Sequence, residues 1–204
     1  MSPGEPEPEL TGLVDARRAE EIGAEKPGQL QSRTIHDGRV VHLSIDTVRF
    51  PDGSTGRLEL VRHSGASAVV AVHGPADAAD PDIVLLRQFR YAAGGEIYEI
   101  PAGRPARDGE PWEEVAAREL EEETGYVAGR LRRMSSIYTT PGFTDERIHS
   151  FLATDLSRGT TNLDRDEFVR VLTMPLSAVL DAIRDGRIID AKSVAALLFY
   201  ARFR

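Results

Sequence analysis

Between Gly103 and Tyr126 the chain reads Gly-Arg-Pro-Ala-Arg-Asp-Gly-Glu-Pro-Trp-Glu-Glu-Val-Ala-Ala-Arg-Glu-Leu-Glu-Glu-Glu-Thr-Gly-Tyr, with glutamates at 119, 121, 122 and 123. On a helix, Glu119, Glu122 and Glu123 fall within roughly 100° of one another, while Glu121 points away toward solvent. Like charges crowded in this way destabilise a bare helix, so something must compensate them. A hard divalent cation does so well, because Mg²⁺ takes a few carboxylates together with waters and the oxygens of a substrate's phosphates. The bland alternative is a solvated acidic face, the ordinary fate of a charge run, so the surrounding residues have to decide between them.

The elements around the glutamates favour a built site. Pro111 suits the first turn of a helix, with Asp108, Gly109 and Glu110 supplying a turn and negative charge at its N-terminus. Gly125 suits the C′ position that ends it. Ala117, Leu120 and Thr124 lie beside the glutamates and are expected to pack the helix onto a sheet. Upstream, residues 96–100 alternate as a strand until Pro101-Ala102-Gly103 interrupts it. The unit reads strand, loop, helix, with an acidic side left open.

The rest of the chain is that of a modest enzyme. Its 204 residues suit one globular domain with an appendage. The net charge is −8, without a basic cluster that would engage nucleic acid. There is no cysteine, which excludes disulfides and thiolate metal sites. Neither a signal peptide nor an apolar membrane span is evident, so the cytoplasm is the expected location. Residues 1–32 read as a flexible, acidic, Pro-rich tail, with a short helix near 13–22. Strands are expected at 39–50, 56–63, 66–73 and 83–89, with a hairpin turn at Pro51-Asp52-Gly53-Ser54. Further strands are expected near 131–138, 148–154 and 169–174, then helices at 176–184 and, capped by Asp190, at 191–203.

The stretch resembles the Nudix box. Glu110, Arg118-Glu119-Leu120, Glu122-Glu123 and Gly125-Tyr126 are in register with that pattern, although six residues rather than five separate Gly103 from Glu110. The extra residue falls in the loop before the helix. A long, spaced match of this kind is far more specific than a lone glycine motif. Resemblance to the ADP-ribose pyrophosphatase branch extends over about residues 35–204. It is carried by Arg87-Gln88-Phe89-Arg90, Glu99-Ile100-Pro101-Ala102-Gly103, Thr140-Pro141-Gly142-Phe143-Thr144-Asp145-Glu146 and Asp166-Glu167-Phe168-Val169. Pro141 stands 16 residues beyond Gly125, where that branch carries a marker proline.

The resemblance implies an α/β fold: a Nudix α/β/α sandwich with a mixed sheet over residues 65–204, plus a small N-terminal antiparallel β layer over 33–64. In that branch the layer exchanges with a second subunit, which makes a homodimer the expected state; the other possibility is that these strands extend their own sheet. The implied reaction is Mg²⁺-dependent hydrolysis of ADP-ribose to AMP and ribose 5-phosphate, with Mn²⁺ as a substitute. Glu119, Glu122 and Glu123, with the Ala102 carbonyl, would bind the metal, and Arg118 would pair with and orient the glutamates. Glu167 is the implied general base, with Asp164 and Asp166 as alternatives. Arg90, and less so Arg87, would grip phosphate. Gly142 and Phe143 would wall the terminal ribose, and Glu99 would contact substrate or a metal-bound water. Tyr91, Tyr98 and Phe50 could stack on adenine but are read first as packing residues. His36, His42, His63, His73 and His149 show no ligand spacing.

Two alternatives remain. The substrate could be another nucleoside diphosphate sugar, such as GDP-mannose or ADP-glucose. Alternatively the chain could be a non-catalytic Nudix sensor, a reading disfavoured by its full set of carboxylates and its lack of a basic helix-turn-helix.

Overall fold

The computed structural model describes residues 28–163 and 168–204. The expected helix near 13–22 lies outside them, as do Asp164, Asp166 and Glu167. The chain divides into two compact units between Val61 and Arg62.

The first unit is a three-stranded antiparallel layer in the order β1 (Gly28–Asp37), β2 (His42–Arg49), β3 (Thr55–Arg62). The β2–β3 turn is closed by Gly53 N–H donating to Phe50 O (3.0 Å) and Phe50 N–H to Ser54 O (2.8 Å), while Asp52 Oδ1 accepts from Ser54 N–H (2.9 Å). Composition assigned residues 28–32 to the tail, yet they are strand, with Gly28 opposite Arg49 and Ser32 opposite Asp46. A polar segment with a partner strand satisfies its backbone in a ladder, and a local reading of composition does not see that partner.

The second unit is an α/β/α sandwich. Its mixed sheet runs β12 (Val169–Pro175), β5 (Asp82–Arg90), β4 (Ala66–His73), β10 (Arg147–Thr154), β9 (Arg130–Tyr138), with β4 and β10 parallel. Strand β4 is the apolar run Ala66-Ser67-Ala68-Val69-Val70-Ala71-Val72 and is buried on both faces. Alternation sends Ala68, Val70 and Val72 to one face, against α2 (Leu176–Arg184) and α3 (Ala191–Phe203). Val69 and Ala71 go to the other, against Ala116 and Leu120 of α1 (Trp112–Thr124). The buried face of α1 is Val115, Ala116, Leu120, Glu123 and Thr124; Leu120 and Thr124 pack as expected, but Ala117 is exposed and Ala116 is buried instead. Among the described residues no helix is long and apolar enough to cross a membrane.

One irregularity of the sheet places the site. Strand β5 pairs with β4 only from Asp82 to Val84, and from Leu86 to Arg90 the pairing passes to β6 (Gly95–Glu99). Strand β4 in turn pairs with β7 (Ala102–Gly103) at Ala68 and Ser67, and Val69 N–H donates to Pro101 O (2.8 Å). The sheet therefore splays between β4 and β5, and residues 95–103 fill the fork. The two-residue strands β8 (Tyr126–Val127) and β11 (Ser157–Arg158) pair with each other beyond the end of α1.

Candidate active site

Helix α1 begins after Pro111 with Glu113 and Glu114 in its first turn, where negative charge suits the helix dipole. It ends at Gly125, whose φ of 68° is left-handed and whose N–H donates to Glu121 O (2.7 Å). Between these ends the helix faces the residues that fill the fork. Glu123, 3% exposed, accepts from Ala102 N–H through Oε2 (2.9 Å). The Glu119 carboxylate lies against Gly103 so closely that any Cβ at 103 would overlap it. A side chain at 103 would displace the Glu119 carboxylate from this position.

Arg118 gathers the other acids. Its Nη1 donates to Glu119 Oε1 (2.8 Å) and Glu122 Oε2 (2.9 Å), its Nε to Glu110 Oε1 (3.3 Å), and its Nη2 to the Arg104 carbonyl (2.8 Å). Burial works against its charge, but Glu110, Glu119 and Glu122 outweigh it and push the guanidinium further above its usual range. Glu110 is lowered, first by the Ala106 N–H and then by Arg118. Glu121 departs from the expectation of a free solvent-facing residue. It is half-buried and accepts from Thr160 N–H (3.3 Å), because β11 brings the following loop over the end of the helix. Gly159 and Asn162 N–H groups complete that attachment, on Gly125 O and Glu122 O (2.9 Å each).

A second cluster lies at the end of β6. Glu99, 2% exposed, takes Arg90 Nε on Oε1 (2.7 Å) and Arg90 Nη2 on Oε2 (2.9 Å), and Oε2 also meets Lys192 Nζ. Lys192 Nζ also donates to Asp190 Oδ2 (3.0 Å), the cap of α3, which accepts from Ser193 N–H (3.0 Å). Ser193 Oγ accepts from Ile100 N–H (2.9 Å). Burial would raise the Glu99 carboxyl, but the Arg90 hydrogen bonds and the charge of Lys192 hold it below its ordinary range. Glu99 was expected to contact substrate or a metal-bound water; in the structure both its oxygens are held by cations of the protein.

The remaining expected residues are more dispersed. Arg87 pairs with Glu96 (2.5 Å) at the surface, both being about two-fifths exposed. Gly142 and the half-exposed Phe143 sit on a separate loop, tied down by Thr139 Oγ1 on Glu146 Oε2 (2.7 Å) and by Asp145, which accepts from His63 N–H (2.9 Å). Tyr91, read as a packing residue, is 90% exposed, because a 3₁₀ turn over Tyr91–Ala93 carries it off the end of β5. Tyr98 packs against the core, and the Phe50 ring lies over Gly56. His149 is buried and stacked on Trp112 with ring centroids 4.3 Å apart. Lys192 and Asp190 are site residues that sequence reasoning missed. Asp190 was legible as a helix cap, but Lys192 had no local signal, since its partner Glu99 is 93 residues away.

The donor chemistry fits a hard cation. Every candidate ligand offers oxygen, and two carboxylates already share one cationic nitrogen. Among the described residues no three His, Asp or Glu side chains are gathered as a complete ligand set. Glu119 and Glu122 turn to Arg118, and Glu123 turns to Ala102.

The family model of the NUDIX domain matches residues 62–197. The chain belongs to the Nudix family. This Nudix chain is 40% identical over 167 residues to the ADP-ribose pyrophosphatase of Bacillus subtilis (strain 168), covering 81% of this chain and 87% of that one. It is also 40% identical over 172 residues to the methanol dehydrogenase activator of Bacillus methanolicus, with coverage of 83% and 90%. Its fold matches the crystal structure of an ADP compounds hydrolase with a TM-score of 0.73, over 88% of this chain and 95% of that one, at 23% identity. At that identity the likeness speaks to the fold alone.

Proposed function

We propose that this Nudix chain hydrolyses the diphosphate of ADP-ribose to AMP and ribose 5-phosphate, as a cytoplasmic enzyme acting on small nucleotide sugars rather than on nucleic acid. The observation that carries the reading is the pair of clusters near the sheet fork: acids gathered by Arg118, and Arg90 held on Glu99. A divalent cation, Mg²⁺ or Mn²⁺ in its place, supplies water activation and charge neutralisation when held by Glu119, Glu122, Glu123 and the Ala102 carbonyl. Arg118 orients two of those carboxylates. Arg90 keeps Nη1 uncommitted to Glu99 and binds a substrate phosphate oxygen with it. Arg87 adds a weaker phosphate contact, and Gly142 and Phe143 wall the terminal ribose.

Glu167 serves as general base. It takes the proton of the attacking water while the new oxygen–phosphorus bond forms and the bridging phosphorus–oxygen bond breaks. Support comes from the flanks of its segment. Asn162 N–H is bonded to Glu122 O (2.9 Å), and Phe168 O accepts from Phe89 N–H (3.2 Å), next to Arg90.

The protein works as a homodimer through its N-terminal layer. Strand β1 is exposed along its whole length, and Leu30, Ile35 and Leu58 are 50%, 44% and 48% exposed, an apolar display that a second copy would cover. Sedimentation of an Ile35→Lys, Leu58→Lys double variant should show monomers without activity. An active monomer would remove this part of the reading.

AMP release from ADP-ribose with Mg²⁺, run against GDP-mannose, ADP-glucose, dinucleotides and nucleoside triphosphates, tests the function. The two 40%-identical relatives carry different names, so this assay decides for the present chain. Cleavage of ADP-ribose that EDTA abolishes and Mg²⁺ restores is expected. Turnover of another sugar nucleotide alone would replace the substrate, and tight binding without turnover would make the chain a sensor.

A further inference from the structure

The geometry points to Lys192, on the last helix, as a positioning residue for substrate binding that acts through Glu99 on Arg90; the inference rests on the reading of Arg90 as the phosphate ligand. An arginine clamped by a carboxylate in two places is well oriented but electrically spent, since the pair together carries no net charge. Here the same carboxylate meets a second cation, Lys192 Nζ, on Oε2. Arg90, Glu99 and Lys192 together keep one net positive charge, and Arg90 is the exposed member at 43%, against 12% for Lys192 and 2% for Glu99. The excess charge is thus presented at the guanidinium, while the lysine that supplies it stays behind.

Asp190 faces Lys192 from the start of α3 (3.0 Å), but its carboxylate also caps the helix, accepting from Ser193 N–H (3.0 Å) and Ser193 Oγ (2.5 Å). The partial positive charge of that helix end, roughly half an elementary charge, offsets about half of it. The attachment is also mechanical. Ser193 Oγ holds Ile100 N–H (2.9 Å), so one turn of α3 grips both Glu99 and the residue after it, three positions before Gly103 of the box. Lys192 touches neither the acidic cluster nor the open face of Arg90 in the bonds it makes, which distinguishes a positioning residue from a binding one.

The test is a mutant cycle with ADP-ribose at saturating Mg²⁺, reading KM, kcat and Tm for Lys192→Met, Arg90→Ala and the double variant. Lys192→Met should raise KM about tenfold with kcat within about threefold of wild type, the signature of lost ground-state binding. Arg90→Ala should raise KM further, and the double variant should match Arg90→Ala alone, because Lys192 has nothing left to act through. Lys192→Arg should return KM to within about threefold of wild type by restoring the charge.

Lys192→Gln keeps a donor toward Glu99 without the charge, and carries the same cycle if the methionine variant does not fold. Losses that multiply in the double variant, or a lowered Tm with unchanged KM, would overturn the assignment and leave Lys192 a structural residue. Wild-type protein that turns over no nucleotide sugar would instead refute the function itself, and this inference with it.

Discussion

Two arginine–carboxylate clusters lie along the segment from Glu99 to Gly103, and they differ in charge. Around Arg118 one cation serves three carboxylates, Glu110, Glu119 and Glu122, leaving an excess of two negative charges. Around Glu99 two cations, Arg90 and Lys192, share that carboxylate, and Lys192 also meets the helix-capping Asp190, so the cluster is formally balanced rather than acidic. The acidic cluster is partly open, with Glu122 31% exposed, so a cation can exchange with the guanidinium that now holds it. The Glu99 cluster has a buried anion and one exposed arm, Arg90. On the proposed function, the acidic cluster would take the cation and Arg90 the phosphate of a metal-bound diphosphate. The residues that gather each cluster, Arg118 and Glu99, are in neither case the ones presented to a ligand.

The largest effect that would break the contrast is loss of the acidic side. Glu123→Gln should reduce kcat for ADP-ribose by roughly 10³-fold or more, with Tm little changed. Activity near wild type would refute the metal face. Arg118→Met should raise the Mg²⁺ concentration for half-maximal activity by about 10- to 100-fold, because the acids lose the group that orients them; a Mg²⁺ titration of initial rates checks it.

On the Glu99 side, Arg90→Ala should act mainly on KM, raising it on the order of 10-fold or more, measured by AMP release. A fall in kcat with KM unchanged would move Arg90 from substrate binding to the chemical step. The smallest effect is on stability. Glu99→Gln should cost about 2–3 kcal/mol at pH 7, less than a fully buried pair because solvent screens Arg90. Because the Glu99 carboxyl is held below its ordinary value of 4.5, this contribution is present above that pH and is lost as pH falls through the lower folded-state value. Thermal melts of wild type and variant should therefore differ most near neutrality and converge in acid. A difference independent of pH would mean that Glu99 is not ionised in the folded protein.

Much of the acidic cluster was legible because its logic is local. Glu119, Glu122 and Glu123 are placed by helical spacing, Arg118 reaches Glu122 one turn on, and Gly125 ends the helix in the one conformation that favours glycine. The Glu99 cluster was legible only in part. Arg90 and Glu99 stand on paired strands, yet nothing in either strand announces Lys192. Ala117 and Glu121 were misread for a related reason. A helix pattern defines a stripe only to within a residue, and the neighbour that buries one edge of it comes from elsewhere in the chain.

By itself the sequence determined the family, through its resemblance to the Nudix box, and with it the layered α/β class that the family implies. It also put Glu119, Glu122 and Glu123 on one side of a helix, which follows from short-range periodicity. Only the tertiary structure decided the fork between β4 and β5, the closeness of Gly103 to Glu119, and the grip of α3 on Glu99. Each of these joins segments distant in the chain, and its energy lies in packing and charge compensation between elements, terms that do not exist until the elements meet.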